Sequence, residues 1–148
     1  MSLSQFVLAG VLLFSGVVAT AGTQEPPRRS GQESVYDELK KAPDKYSGKT
    51  NPLANDADAA AAGGVLFEEH CEECHGREGM GGKKAPSLRA GEVQNAAPGA
   101  IFWILTNGVV RKRMPVWSKL PEPERWQLVS YIKSLGAAST RALQPSKP

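Results

Sequence analysis

Two cysteines three positions apart, with a histidine directly after the second, constrain this chain more than any other feature. They are Cys71, Cys74 and His75, inside the stretch EEHCEECHGREGMGG at residues 68–82. That stretch holds both cysteines of the chain, both histidines and one of its three methionines. A disulfide between Cys71 and Cys74 would close a very small loop and so constrain the unfolded chain little. The compact part of the sequence is only roughly 80 residues long, a size at which a hydrophobic core is marginal without a staple. The two thiols and the imidazole are the groups available to supply one.

The remainder of the 148 residues is organised around that part. Residues 3–21, LSQFVLAGVLLFSGVVATA, carry no charged side chain and end in Ala19-Thr20-Ala21, a small-x-small pattern suited to signal peptidase. Residues 1–21 therefore read as a signal peptide or, since about 19 apolar residues just span a bilayer, as an uncleaved N-terminal anchor. No Lys or Arg precedes the run, and Arg28 and Arg29 come after it on the side that would be exported, an awkward placement for an anchor. Both alternatives export the rest of the chain. Residues 22–56 are rich in Pro, Ser, Gly and charge and are expected to be a flexible tether with one short helical turn near Val35–Lys41, with packing of part of it against the domain as the alternative to a free linker. Residues 57–136 are the expected domain, and residues 137–148 a disordered tail. The net charge of +3 is weak and scattered, which excludes a nucleic-acid surface.

Within the domain three helical patterns stand out. The first runs from about Asp58 to Cys74: Asp56 or Asp58 caps it, an alanine run supplies propensity, and Val65, Leu66 and Phe67 bring the apolar face. The second is PGAIFWILTNG, with Pro98 suited to the first turn and Asn107-Gly108 as a stop signal. The third begins after LPEPE and places Leu128, Tyr131, Ile132 and Leu135 at i, i+3, i+4, i+7, with Gly136 as its expected end. No segment alternates with period two, so the domain is expected to be all-α.

The spacing Cys71-x-x-Cys74-His75 is that of c-type haem attachment. Two thiols at the end of a helix can each add to one vinyl group of the ring, and the next residue is then held under the iron as an imidazole ligand. The attached macrocycle becomes the missing centre of the core. Zinc is disfavoured because it needs about four ligands and the chain offers only Cys71, Cys74, His70 and His75 as thiol or imidazole donors. A thioredoxin-like redox pair expects a βαβ setting, which is missing here. For the opposite face of the iron, Met1 lies in the leader and Met80 lies five residues beyond His75, too close to wrap across the ring. Met114, in RKRMPVW, is far enough away and sits in a loop that Pro115 keeps from being helical. His70, the rival ligand, shares the helix that carries Cys71 and reads as a surface residue.

From about Ala57 to Gly136 the chain resembles a class I monohaem cytochrome c of the bacterial type. The resemblance rests on Gly64, Phe67, Cys71, Cys74, His75 and Gly76, then Gly79, Gly81, Pro86 and Leu88, then Met114 and Pro115, then Tyr131, Ile132 and Leu135. It implies a small cytochrome c fold of about three to four helices wrapped around one covalently bound haem c. It further implies that the first and last helices cross near Gly64 and Tyr131, that the Pro86 carbonyl accepts a hydrogen bond from His75 Nδ1–H, and that Leu88 packs on the ring. With His75 and Met114 on the iron no position is open to substrate, so the expected function is periplasmic single-electron transfer rather than catalysis. The alternatives are a cytochrome subunit of a dehydrogenase or terminal oxidase complex, and a haem enzyme or gas sensor with an open iron site. Expected partners are redox protein donors and acceptors, either membrane complexes or a periplasmic dehydrogenase, with membrane attachment only if the leader is retained. Two charged groups are candidate docking faces: Glu68, Glu69, Glu72, Glu73 and Glu78 around the attachment motif, and Arg111, Lys112 and Arg113 before Met114, with Lys83 and Lys84 elsewhere. Trp103, Trp117 and Trp126 read as packing groups, and Asn107 or Arg111 as candidate partners of a haem propionate.

Overall fold

The computed structural model describes residues 34–142, with side chains described to residue 136. The leader, the first part of the expected tether and the last six residues of the expected tail lie outside the described residues. Six α-helices and two short 3-10 helices are present among the described residues. Three of the helices are long: α2 (Ala57–His70), α5 (Pro98–Asn107) and α6 (Glu122–Ala142). The others, α1 (Asp44–Ser47), α3 (Glu72–His75) and α4 (Gly91–Gln94), are single turns, and the 3-10 helices span Val35–Lys41 and Val110–Lys112. The described residues form no strand beyond one isolated bridge between Val109 and Met114.

Local chemistry accounts for these boundaries. Asp56, not Asp58, caps α2: its carboxylate accepts from the amides of Asp58 at 2.9 Å and Ala59 at 3.1 Å. Pro98 opens α5, where its missing N–H costs nothing. Gly108 closes it at φ +65°, a conformation that favours glycine. Glu122 and Glu124 occupy the first turn of α6, where the positive end of the helix dipole stabilises carboxylates.

The core is the meeting of α2, α5 and α6. Phe67, Leu128 and Val129 are fully buried, and Ile101, Phe102, Leu105, Trp126 and Ile132 surround them. Full burial of a side chain of this size stabilises the fold by about 1.5–3 kcal/mol. Phe102 stacks on Trp126 at 4.1 Å between centroids, and Phe67 meets Tyr131 at 5.1 Å. Helices α2 and α6 approach most closely at Gly63, where an added Cβ would overlap the backbone of Gln127; Gly64 faces the movable ring of Tyr131. The tighter of the two glycines is therefore the neighbour of the one expected.

Three boundaries differ from expectation. The segment expected as a tether is packed from Ser34 onward: Tyr36, Leu39, Tyr46 and Leu53 lie against the core, and Asn51 is buried. Asn51 Nδ2 donates to the Trp126 carbonyl at 3.2 Å and to Ser130 Oγ at 2.8 Å, tying this segment to α6. The first long helix stops at His70, because Cys71 leaves helical geometry at φ −124°. The last helix runs through Gly136 to Ala142. The Gln94 side chain fills the space a Cβ would need at Gly136, so that glycine serves a close approach and not a stop.

Candidate functional site

The end of α2 delivers the attachment motif. Phe67 anchors the helix in the core, and its carbonyl accepts the Cys71 amide at 2.8 Å. The chain then turns once, with the His75 amide on the Cys71 carbonyl at 3.0 Å. That turn leaves Cys71 half-buried, Cys74 exposed and His75 buried, with both cysteines as free thiols. The loop after the turn folds back beneath the imidazole. Gly81 N–H donates to the His75 carbonyl at 2.8 Å and Leu88 N–H to the Gly79 carbonyl at 2.8 Å. The loop thereby brings the Pro86 carbonyl to 2.9 Å from His75 Nδ1. A carbonyl can only accept, so Nδ1 carries the proton and the lone pair resides on Nε2.

The electrostatics of the motif arise from burial. Removal from water pushes the His75 imidazole below its ordinary value, against the opposing effect of the Pro86 carbonyl, so the ring is neutral at neutral pH. Burial, assisted by the neighbouring Cys74, pushes the Cys71 thiol up to about 11. Neither charge is thus left uncompensated inside the fold.

One cavity of ≈ 430 Å³ collects the expected site residues: Cys71, Cys74, His75, Pro86, Leu88 and Met114 all line it. Ile101, Ile104 and Leu105 from α5, with Ile132 from α6, form an apolar wall. The volume lies in the range of pockets that enclose a cofactor-sized ligand. Met114 reaches this cavity from a loop pinned to its own stem: Val109 N–H donates to the Met114 carbonyl at 3.1 Å, and Met114 N–H returns the bond at 3.2 Å. Gly108 makes that approach possible, since a Cβ there would lie 2.8 Å from the Met114 carbonyl oxygen. A second hollow of ≈ 500 Å³, bordered by Asn51, Asp56 and Lys133, contains neither thiol nor imidazole.

The remaining candidates separate cleanly. Met80 is 60% exposed and touches Arg89 from outside the cavity. His70 borders the cavity and packs at a tilt against Trp117 at 5.0 Å between centroids, with Glu69 at 3.8 Å. Asn107 bonds back to the Trp103 carbonyl at 2.8 Å and does not line the cavity. Arg111 is ion-paired to Glu38. Trp126 is core, and Trp117 lies on the cavity wall. The glutamate cluster is partly neutralised, with Glu72 near Arg77 at 3.4 Å, Glu73 on Lys84 at 2.9 Å and Glu78 near Arg89 at 3.5 Å.

The cavity also has a wall that sequence reasoning missed, made by Val35, Tyr36, Glu38 and Leu39. Its only signal was the pairing of Val35 and Tyr36 with Leu39 one turn later, a short amphipathic stripe within a polar segment.

Two thiols, a neutral imidazole with a free Nε2, a thioether from another element and an apolar wall suit a covalently held haem. Among the described residues no three His, Cys, Asp or Glu side chains converge as a metal cage.

Comparison with known proteins agrees with this chemistry. A family model described as cytochrome c oxidase, cbb3-type, subunit III matches residues 58–132, just over half of the chain. No curated protein sequence matches. Among solved structures, cytochrome CL from the marine methylotrophic bacterium Methylophaga aminisulfidivorans MPT is similar in fold, with a TM-score of 0.52 and 19% identity over 80% of this chain and 87% of that one. The family carries haem c with its iron, held covalently, and generally moves electrons. The chain belongs to the cytochrome c family represented by subunit III of cbb3-type cytochrome c oxidase.

Proposed function

We propose that the protein is an exported single-electron carrier, in which Cys71 and Cys74 would hold haem c and His75 and Met114 would bind its iron. The observation that carries this reading is the cavity bordered at once by both thiols, His75, Pro86, Leu88 and Met114. The bound haem iron would supply one-electron exchange between its ferrous and ferric states. The chain's own residues define how that exchange is used. Pro86 holds the proton on His75 Nδ1 and presents Nε2 in one orientation. Leu88, Ile101, Ile104, Leu105 and Ile132 keep water from the interior and lower the local dielectric. With Met114 as a second ligand beside His75 the iron would have no position left for substrate, which is why the reading is a carrier and not an enzyme.

The cavity mouth favours a partner of particular charge. Glu73 and Lys84 neutralise each other across it, and Glu38 is paired with Lys41 and Arg111. Lys112 and Arg113 remain beside Met114 without a carboxylate partner among the described residues, flanked by exposed Val110 and Val116. Glu69 also lines the cavity, so the rim is cationic around Met114 rather than throughout, and that part suits a brief encounter with an acidic redox protein.

Two measurements test the assignment. A haem stain on a denaturing gel of exported protein should be positive, and a colourless band would remove the central claim. Ferric protein should show the weak far-red band of a thioether–iron bond, lost in Met114→Ala; ready carbon monoxide binding by the wild type would favour an open-site sensor or enzyme instead. The family's description as an oxidase subunit favours a second reading, permanent residence in a terminal oxidase complex. Isolation of the native chain as a free monomer would count against that reading. No helix among the described residues is long and apolar enough to cross a membrane. Periplasmic residence rests on residues 1–21 directing export; whether they are cleaved or retained as an anchor would be read directly by mass spectrometry of the mature N-terminus.

A further inference from the structure

The family match begins at residue 58, yet one wall of the cavity comes from residues 35–39. That wall is built, not merely adjacent. Ser34 and Asp37 form a reciprocal capping box, with Ser34 N–H on Asp37 Oδ2 at 2.6 Å. Tyr36 Oη donates to the Ser87 carbonyl at 3.2 Å, next to the carbonyl that holds His75. Glu38 is only 12% exposed at its side chain and engages both Lys41, at 3.0 Å, and Arg111. Arg111 belongs to the 3-10 turn Val110–Lys112, three residues before Met114, in the loop whose Lys112, Arg113 and Met114 line the cavity.

The loop that Glu38 reaches is one that needs holding. Arg113 adopts a left-handed conformation at φ +65°, the only positive φ of a non-glycine among the described residues. That conformation is unfavourable for a residue with a Cβ and persists where surrounding contacts over-determine it. The Val109–Met114 bridge is one such contact. The Glu38–Arg111 pair is a second, and it comes from outside the loop.

We propose that residues 34–41 form a strap that is part of the haem site, and that Glu38 is a positioning residue holding the Met114 loop over the cavity through Arg111. The strap acts from one side on Pro86 and His75, through Tyr36, and from the other on Met114, through Glu38. Its effect on iron ligation rests on the assignment of Met114 as a ligand; its effect on the loop does not.

The test compares full-length, haem-loaded wild type with E38Q, R111Q and the double variant. Both single substitutions are isosteric or partly exposed and leave the core untouched. Amide hydrogen exchange over residues 109–117 should accelerate about fivefold in each single variant, the scale of a partly exposed ion pair. The double variant should fall short of the product of the two single effects, because the pair between Glu38 and Arg111 is lost in each. Exchange in α2 and α6 should stay unchanged. Imidazole should bind the ferric iron about fivefold more tightly in E38Q as the loop releases Met114. Unchanged exchange over 109–117, or an equal rise throughout the protein, overturns the proposal. Faster exchange in the loop with unaltered imidazole affinity keeps the strap and removes Met114 as the ligand.

Discussion

Replacing Gly63 with alanine should unfold this protein far more readily than the same change one residue later. At Gly63 the new Cβ would stand 2.6 Å from the Gln127 carbonyl carbon and 3.0 Å from Tyr131 Cβ. Those atoms belong to the backbone, or are attached directly to it, so the two helices have to separate. Overpacking of this kind costs about 3 kcal/mol, the upper end of the usual range, offset by about 1 kcal/mol of helix propensity gained on leaving glycine. The net loss is about 2 kcal/mol, or roughly 10 °C in Tm for a unit of this size. At Gly64 the nearest atoms are Tyr131 Cε2 at 3.2 Å and Cδ2 at 3.4 Å, the edge of a ring that can turn. There the propensity gain offsets the contact, and G64A should fall within about 0.5 kcal/mol of wild type. The assay is thermal and urea unfolding of the haem-loaded protein monitored by circular dichroism. Equal destabilisation of the two variants, or a larger effect at Gly64, would refute the placement of the helix crossing.

Three further outcomes are expected. Asn51→Ala should destabilise by about 2 kcal/mol in urea unfolding, since it removes two buried hydrogen bonds, to the Trp126 carbonyl and the Ser130 hydroxyl. Tyr36→Phe should cost about 1 kcal/mol by losing one bond to the Ser87 carbonyl, with the haem still attached. Lys84, by hydrogen bond and charge, holds the Glu73 carboxylate below its ordinary value of 4.5. The pair's contribution is therefore complete above that pH and is lost as pH falls through the lowered value. Carboxyl-carbon NMR of K84Q should show Glu73 titrating higher than in the wild type.

The legible parts of the fold were those governed by repetition or by a rigid chemical requirement. Leu128, Ile132 and Leu135 announce α6 because a helix buries every third or fourth residue. Cys71, Cys74 and His75 announce their task because their spacing suits little else. The illegible parts depend on pairs distant in sequence. Glu38 and Arg111 are separated by 73 positions and carry no local sign of each other. Residues 34–56 look like a linker because their few apolar groups are spread thinly, yet Tyr36, Leu39, Tyr46 and Leu53 each find a place on the core. Gly136 resembles a helix stop by composition, and only the Gln94 side chain beside it reveals another purpose. The choice between Gly63 and Gly64 turns on helix rotation, which a pattern of apolar residues defines only to within about one position.

The bonds from Asn51 to α6 also set an order of events during folding. They join positions 75 and 79 residues apart, and Ile132, part of the cavity wall, lies on that same helix. Contacts of such span form late, because the chain entropy lost in closing a long loop is recovered only when the closing contacts are made. Until α6 docks, the cavity lacks one side and the turn bearing Cys71 and Cys74 stays open to a large planar reactant. The residues that finish the enclosure come after the attachment motif in the chain, so the thiols stay accessible until that helix docks.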